Sequence, residues 1–324
     1  MSLLNTTVCV TGGANTGVSD CPLDFKLAQF IIKVPQSFEL TAANMATKET
    51  VMTALKAAIS ADLASARIFP YPQQVAFTDN STDPAFQAFS SGTSVPANDG
   101  IYNWMFQFTK GALCLSNQLR KFNNDSNSYF LVVDANGNLY GTTSGVSAKG
   151  NLKGIPANFI YTDKFKMATY TEVSLYAYRV DFFPNYLNED VAWIGLNLGE
   201  LRALSGLKNI GLDQVSVRSA AVFKFKAYAG CNKTDLYAQY SAQIAALSPG
   251  DIDVRRDVNG IATKVDVLSI VVDANIGGWT ITLDTADPDY SATGPLTLTL
   301  PAVSKLVTAG VIGYESLSTT IVTA

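Results

Sequence analysis

Residues 102–109, YNWMFQFT, constrain this chain more than any other stretch. Aromatic and polar side chains alternate there without a fault. Successive strand side chains face opposite sides, so Tyr102, Trp104, Phe106 and Phe108 share one face. Asn103, Met105, Gln107 and Thr109 share the other. The pattern predicts a strand whose aromatic stripe belongs to a core. The residues that follow supply what such a stripe packs with. ALCLSNQLRKF places Leu115, Leu119 and Phe122 at helical spacing. Asn123 to Asn127 is a polar turn. Tyr129 to Val133 is a β-branched run, and Asp134 to Gly137 is a hairpin turn leading into Asn138–Tyr140.

Strands dominate the rest. LAQFIIKV, 27–34, is a strand ended by Pro35. Thr47 to Ala66 reads as a helix, with Val51, Leu55, Ile59 and Leu63 every four residues, Thr47 as N-cap and Glu49 in the first turn. IFPYP, 68–72, stops it. Gln73–Thr78 is a short strand. Residues 79–100 form a long arm whose AFQAF alternates at 85–89. Apolar residues there are a liability on a free monomer, so Phe86, Phe89, Val95 and Pro96 are expected at a contact with another subunit. YTEVSLYAYRVDFF, 170–183, predicts a long strand with Val173, Leu175, Ala177 and Arg179 opposite Ser174, Tyr176, Tyr178 and Val180. Val191–Leu196 is another strand, and 198–212 holds short helical turns.

Residues 214–228 read as one long strand, and Thr234 as the cap of a helix closed by Pro249-Gly250. Beyond them short strands recur at 251–254, 264–272, 280–284, 296–300 and 320–322, as in an immunoglobulin-like β-sandwich. The expected fold class is mainly β with a few helices (α+β). Residues 1–220 form a β-sandwich or barrel with flanking helix 47–66 and hairpin arm 79–100. Residues 221–324 form the immunoglobulin-like sandwich. A chain of 324 residues suits two domains.

Composition removes whole classes of function. There is no histidine, which excludes Ser-His-Asp and Cys-His catalysis and the usual zinc sites. Net charge is −4, the wrong sign for a protein that grips nucleic acid. TGGANTGVS, 11–19, has phosphate-loop glycines without the Gly-Lys-Ser/Thr that reaches phosphate. Glu189 and Asp190 are neighbours, whereas a glycosidase needs carboxyls facing across a bond, so they read as a solvated turn. Glu200 and Arg202 are a surface pair on a short helix. Asp284, Asp287 and Asp289 in DTADPDY are a weak calcium candidate, without the distal Glu of an EF-hand loop, and a Pro-fixed turn is the default. Trp279 reads as a core tryptophan, with a glycan platform as the alternative. No catalytic residue and no cofactor is expected.

No signal peptide and no stretch of about 18 apolar residues is present, so cytosolic synthesis and no membrane partner are expected. Without a secretory route the sequons at Asn5, Asn80 and Asn232 are chance matches. Cys9, Cys21, Cys114 and Cys231 then read as four buried free thiols, with Cys9–Cys21 as the alternative pair across a Gly-rich loop. Charged residues make up only 15% of the chain, against about 25% in average soluble domains. A charge-poor surface suits one covered by neighbouring subunits.

Four stretches carry a resemblance: CPLDFKLAQFIIKVP at 21–35, RIFPYPQQVAFTDNSTDP at 67–84, NDGIYNWMFQFTKGALCLSNQLRKFN at 98–123, and the terminal sandwich with LDTADPDYSATGP and AGVIGYES. Their texture and order resemble structural, tail-tube-like virion proteins of tailed phages infecting Bacteroidota. The resemblance implies a subunit assembled in the host cytoplasm and located in the virion. Its partners would be copies of itself in a ring or tube, other virion proteins, and DNA that passes through without specific binding. A first domain larger than a minimal tube subunit leaves a capsid, decoration or head–tail connector protein as alternatives, beside a surface- or glycan-binding module.

Overall fold

The computed structural model describes residues 3–6, 26–90, 92–109, 112–125, 127–171, 173–188, 190–258 and 260–322. The fold is mainly β and divides into two units. One comprises Met1–Ile59 with Leu63–Gly206, the other Ser60–Asp62 with Leu207–Ala324. The division falls after Gly206 rather than after Ala220.

The strands of the first unit are β1 (Asn5–Thr6), β2 (Ala28–Val34), β3 (Glu39–Leu40), β4 (Phe69–Pro70), β5 (Ala76–Asp79), β6 (Ala85–Ala88), β7 (Ser94–Asn98), β8 (Tyr102–Phe108), β9 (Tyr129–Asp134), β10 (Asn138–Thr142), β11 (Leu152–Lys153), β12 (Ile155–Thr162), β13 (Tyr176–Phe182) and β14 (Val191–Gly195). Its helices are α1 (Lys48–Ile59), α2 (Ala112–Arg120), α3 (Pro184–Asn188) and α4 (Leu198–Arg202). One hydrogen-bonded path runs β1-β14-β10-β9-β12-β13-β8-β5, and the sheet branches at β9, which also pairs with β2. β9 is buried along both faces, as its unbroken FLVV run requires. The aromatic stripe of β8 lies where its alternation places it. Phe106 and Phe108 are fully buried in one core with Phe130, Tyr176, Tyr178 and Phe182, and Tyr102 and Trp104 pack at its margin.

Helix α1 opens as expected. Thr47 Oγ1 accepts from the Thr50 N–H at 3.2 Å, and Thr50 Oγ1 accepts from the Thr47 N–H at 3.1 Å, a reciprocal cap. It closes at Ile59, earlier than the four-residue spacing predicts, and Leu63 is exposed. Asp62 is engaged beyond the helix end, where its carboxylate accepts from Ser304 N at 2.8 Å and Oγ at 2.7 Å. Likewise the long strand expected through 173–175 begins only at Tyr176. Residues 163–171 and 173–175 lie outside any named strand instead, with the isolated bridge Lys166↔Leu175, and Met167, Tyr170 and Val173 are exposed there.

The second unit comprises β15 (Lys208–Ser219), β16 (Val222–Ala229), β17 (Thr234–Asp235), α5 (Tyr237–Ala245), β18 (Asp253–Val258), β19 (Ile261–Lys264), β20 (Val267–Asp273), β21 (Gly278–Leu283), β22 (Leu296–Thr299), α6 (Val303–Thr308), β23 (Tyr314–Ser316) and β24 (Thr319–Ile321). Two sheets, β20-β21-β16-β15-β23 with β17 beside β16, and β19-β18-β22-β24, share one core. The single strand expected over 214–228 is a hairpin. Small residues at 219–221 let the chain turn, and β15 and β16 pair antiparallel from Ile210↔Ala229 to Ser219↔Val222. Thr234 lies in β17 rather than capping α5. Asp235 Oδ1 accepts the Tyr237 N–H at 2.8 Å in its place.

Cys114 on α2 and Cys231 after β16 are disulfide-bonded, which corrects the free-thiol reading. Cys114 is half-buried and Cys231 exposed, so neither behaves as a buried small hydrophobe. Cys9 and Cys21, and the 11–19 glycine loop, lie outside the described residues. No described helix is long and apolar enough to cross a membrane.

Candidate assembly surface

Between β5 and β8 the two arms of the chain run antiparallel, with pairing interrupted at 83–84 and 99–100. At the root, Ala76↔Gln107 through Asp79↔Trp104 pair antiparallel, and Thr82 bridges Ile101. Beyond the bridge, β6 and β7 pair with each other and with no other strand among the described residues. Gly100 makes the joint at φ +76°, a conformation that favours glycine. The Asn98 carboxamide Oδ1 accepts from Ala85 N at 3.2 Å and Gly100 N at 3.1 Å, tying tip to root.

Every residue of β6 and β7 is exposed. Phe86 lies opposite Pro96, and Gln87 opposite Val95. Alternation then puts Phe86 with Pro96 on one face and Phe89 with Val95 on the other. Phe86 is 66% exposed, Phe89 49% and Val95 50%. A ribbon with apolar residues on both faces can bury neither of them by itself.

From Tyr170 on, this segment was legible only as strand. Tyr176 pairs with Phe108 and Phe182 with Tyr102, so this loop leaves the β8–β13 pair at the Phe108 end. The hairpin leaves it at the Tyr102 end. Two exposed apolar segments thus stand at opposite ends of one strand pair, roughly 20 Å apart along it.

Tyr102 and Trp104 also line a cleft of ≈350 Å³ with Phe77, Tyr140, Leu187 and Asp134. Trp104 packs edge-on against Phe77 and Phe182, with ring centroids 5.8 and 5.1 Å away. The cleft's buried carboxylate is already spent. Asp134 Oδ1 accepts from the N–H groups of Asn136 (2.8 Å) and Asn138 (2.9 Å). Its Oδ2 accepts from Asn138 Nδ2 (3.0 Å) and the Tyr140 hydroxyl (2.9 Å).

The other sequence candidates resolve individually. Trp279 is fully buried, stacks on Phe225 at 5.5 Å and donates from Nε1 to the Ser241 carbonyl at 3.0 Å, so it is a core residue and no platform. Asp284 Oδ1 accepts from Ala286 N, and Asp287 accepts from Asp289 N and Asp266 N. These carboxylates turn the loop, and no cluster able to hold a metal forms among the described residues. Arg202 donates to Gln29 Oε1 at 3.0 Å instead of pairing with Glu200. Glu189 lies outside the described residues.

No protein-family model and no curated protein sequence matches the chain.

Proposed function

We propose that the chain is a non-enzymatic structural subunit of a virion, of the tail-tube kind, that assembles with copies of itself into stacked rings around a DNA channel. The observation that carries this reading is the β6–β7 pair, an antiparallel ribbon with every residue of both strands exposed. Its apolar side chains are accounted for if a neighbouring copy covers them. The exposed loop at the other end of β8–β13 supports a head-to-tail contact, in which two different patches meet and a closing rotation gives a ring. The acidic balance of the chain supports a channel wall that repels phosphate. Disulfides at Cys114 and Cys231 suit a protein that persists in oxidising surroundings, as virion surfaces do.

Replacing residues 83–100 by a two-residue Asn-Gly turn tests the reading, since Thr82 and Ile101 are already bridged. The intact chain is expected to form rings or tubes by negative-stain microscopy and a concentration-dependent series by sedimentation. The shortened chain is expected to stay monomeric with unchanged circular dichroism. An intact chain that remains monomeric at every concentration, or a shortened chain that assembles as well as the intact one, overturns it.

A further inference from the structure

Arg218 on β15 is only 3% exposed. A buried guanidinium needs acceptors for its N–H groups and a countercharge. Arg218 has one acceptor: Nη2 donates to the Ser291 carbonyl at 2.6 Å. Nε and Nη1 are buried without a partner. Burial lowers its pKa from the ordinary arginine value; the ionisable groups that also act on it are Tyr290, which opposes the shift, and Arg256, which adds to it. No carboxylate is among them. Arg256, half-buried on β18, is itself in no ion pair among the described residues.

Lys33 and the half-buried Lys224 each meet a carboxylate. Lys33, 8% exposed, donates to Asp125 Oδ2 at 3.2 Å and sits 3.6 Å over the Phe122 ring. In the second unit Lys224 meets Asp273 at 2.7 Å. Arg218 departs from this pattern even though three aspartates lie in the loop that covers it. The carboxylate of Asp284 accepts from Ala286 N, and that of Asp287 from Asp289 N and from Asp266 N outside the loop. An uncompensated buried charge is strongly destabilising, so its retention calls for an anion from outside the chain.

We infer that Arg218, with Arg256, binds a small phosphate-class oxyanion beneath the loop joining β21 to β22. Two guanidiniums in no ion pair among the described residues match a dianion in charge, and one edge of the Arg218 guanidinium, at Nε or at Nη1, is free to donate to it. Tyr290 and Ser291 come from the covering loop, residues 284–295. The orphan N–H groups are shielded from solvent, so entry requires this loop to lift.

The test is the unfolding midpoint of the full chain titrated with inorganic phosphate at constant ionic strength, with chloride as the balancing salt. The midpoint is expected to rise and saturate, because an anion bound only by the folded state stabilises it by mass action. Sulfate should compete. Arg218→Met should abolish the increment, and Arg256→Gln should weaken apparent affinity by about 10-fold or more. A glycerol-phosphate arm distinguishes the source: equal affinity points to a phosphate monoester, weaker affinity to the free ion. General salt exclusion gives a rise that neither saturates nor depends on Arg218, and that outcome overturns the assignment. Should Arg218→Met fail to fold, broadening of the phosphorus resonance of free phosphate decides. None with the intact chain, or undiminished broadening with Arg256→Gln, also overturns it.

Discussion

The ribbon from Ala76 to Phe108 has a root and a tip that obey the same alternation and meet opposite fates. At the root, Phe106 and Phe108 are fully buried. At the tip, Phe86 and Phe89 stand in solvent. Strand pairing separates them: β8 has β13 along its other edge and packs into a core with β9 and β12 residues, whereas among the described residues β6 and β7 have only each other. Alternation decides that a segment is a strand. What covers its apolar face is decided by neighbours far away in sequence, or by another molecule. An isolated two-stranded ribbon is marginal in water, so the order of the tip is borrowed from the root through Asn98 and Gly100.

The sharpest way to break this contrast is to truncate both ends alike. Phe106→Ala should cost about 3–5 kcal/mol, the usual range for removing a fully buried aromatic ring. Phe86→Ala should change monomer stability by no more than about 0.5 kcal/mol, as at other exposed sites. Denaturant unfolding of dilute monomer measures both. Comparable losses would mean that the tip is packed within its own chain. Under the assembly reading the ranking by association reverses, and Phe86→Ala weakens sedimenting oligomers while leaving the monomer intact.

Next in size is the joint. Gly100 has φ +76°, and a Cβ there would collide with the Thr82 carbonyl oxygen. Gly92 at the tip has φ +81° with open space around it. Both alanine variants incur left-handed strain of about 1–3 kcal/mol, but only Gly100→Ala adds the collision. It should therefore be the more destabilising of the two and should speed proteolytic nicking within 83–99. Equal effects would show that the joint is not what holds the tip.

Much of this was legible in the residues themselves. Period-2 patterning located β8 and β13, a β-branched run located β9, and Thr47 marked the start of α1. The misreadings share a physical origin. Leu63 continues the helical spacing of α1, yet the chain leaves the helix at Ile59, and Asp62 bonds to Ser304 from far along the chain. Ser219, Ala220 and Ala221 carry no Gly, Pro or Asn, so the β15–β16 turn is silent in sequence. Cysteine pairing depends on which thiols meet in space, which spacing does not report. Of the assembly surface, the hairpin was visible as an apolar-tipped arm. The 163–175 loop was hidden because VSLYAY alternates like any strand. Arg218 gave no signal, since nothing local shows that a charged residue will be buried.

The smallest expected effect probes the face of the root opposite the aromatic stripe. Asn103 on β8 lies directly across from Asp181 on β13, and its Nδ2 donates to Asp181 Oδ1 at 2.5 Å. Its Oδ1 is buried without a partner. Burial raises the Asp181 pKa, only partly countered by the Asn103 hydrogen bond and the charge of Arg179. A carboxyl with a raised folded-state pKa binds its proton more tightly in the native state. Its stabilising contribution is full below the unfolded value, about 3.9, and is lost as pH rises through the folded value. Asp181→Asn keeps the acceptor, removes the titration and adds an N–H that can reach Asn103 Oδ1. The variant should be more stable than the parent by about 1 kcal/mol near neutral pH, the worth of one satisfied hydrogen bond. That advantage should shrink as pH falls toward the unfolded carboxyl value. Unfolding curves of both proteins across that range give the difference directly, and carboxylates whose pKa values are lowered, such as Asp125, cancel in it. A pH-independent difference would mean that Asp181 is not the group that titrates, and a loss at neutral pH would mean that its negative charge, held near Arg179, stabilises the root.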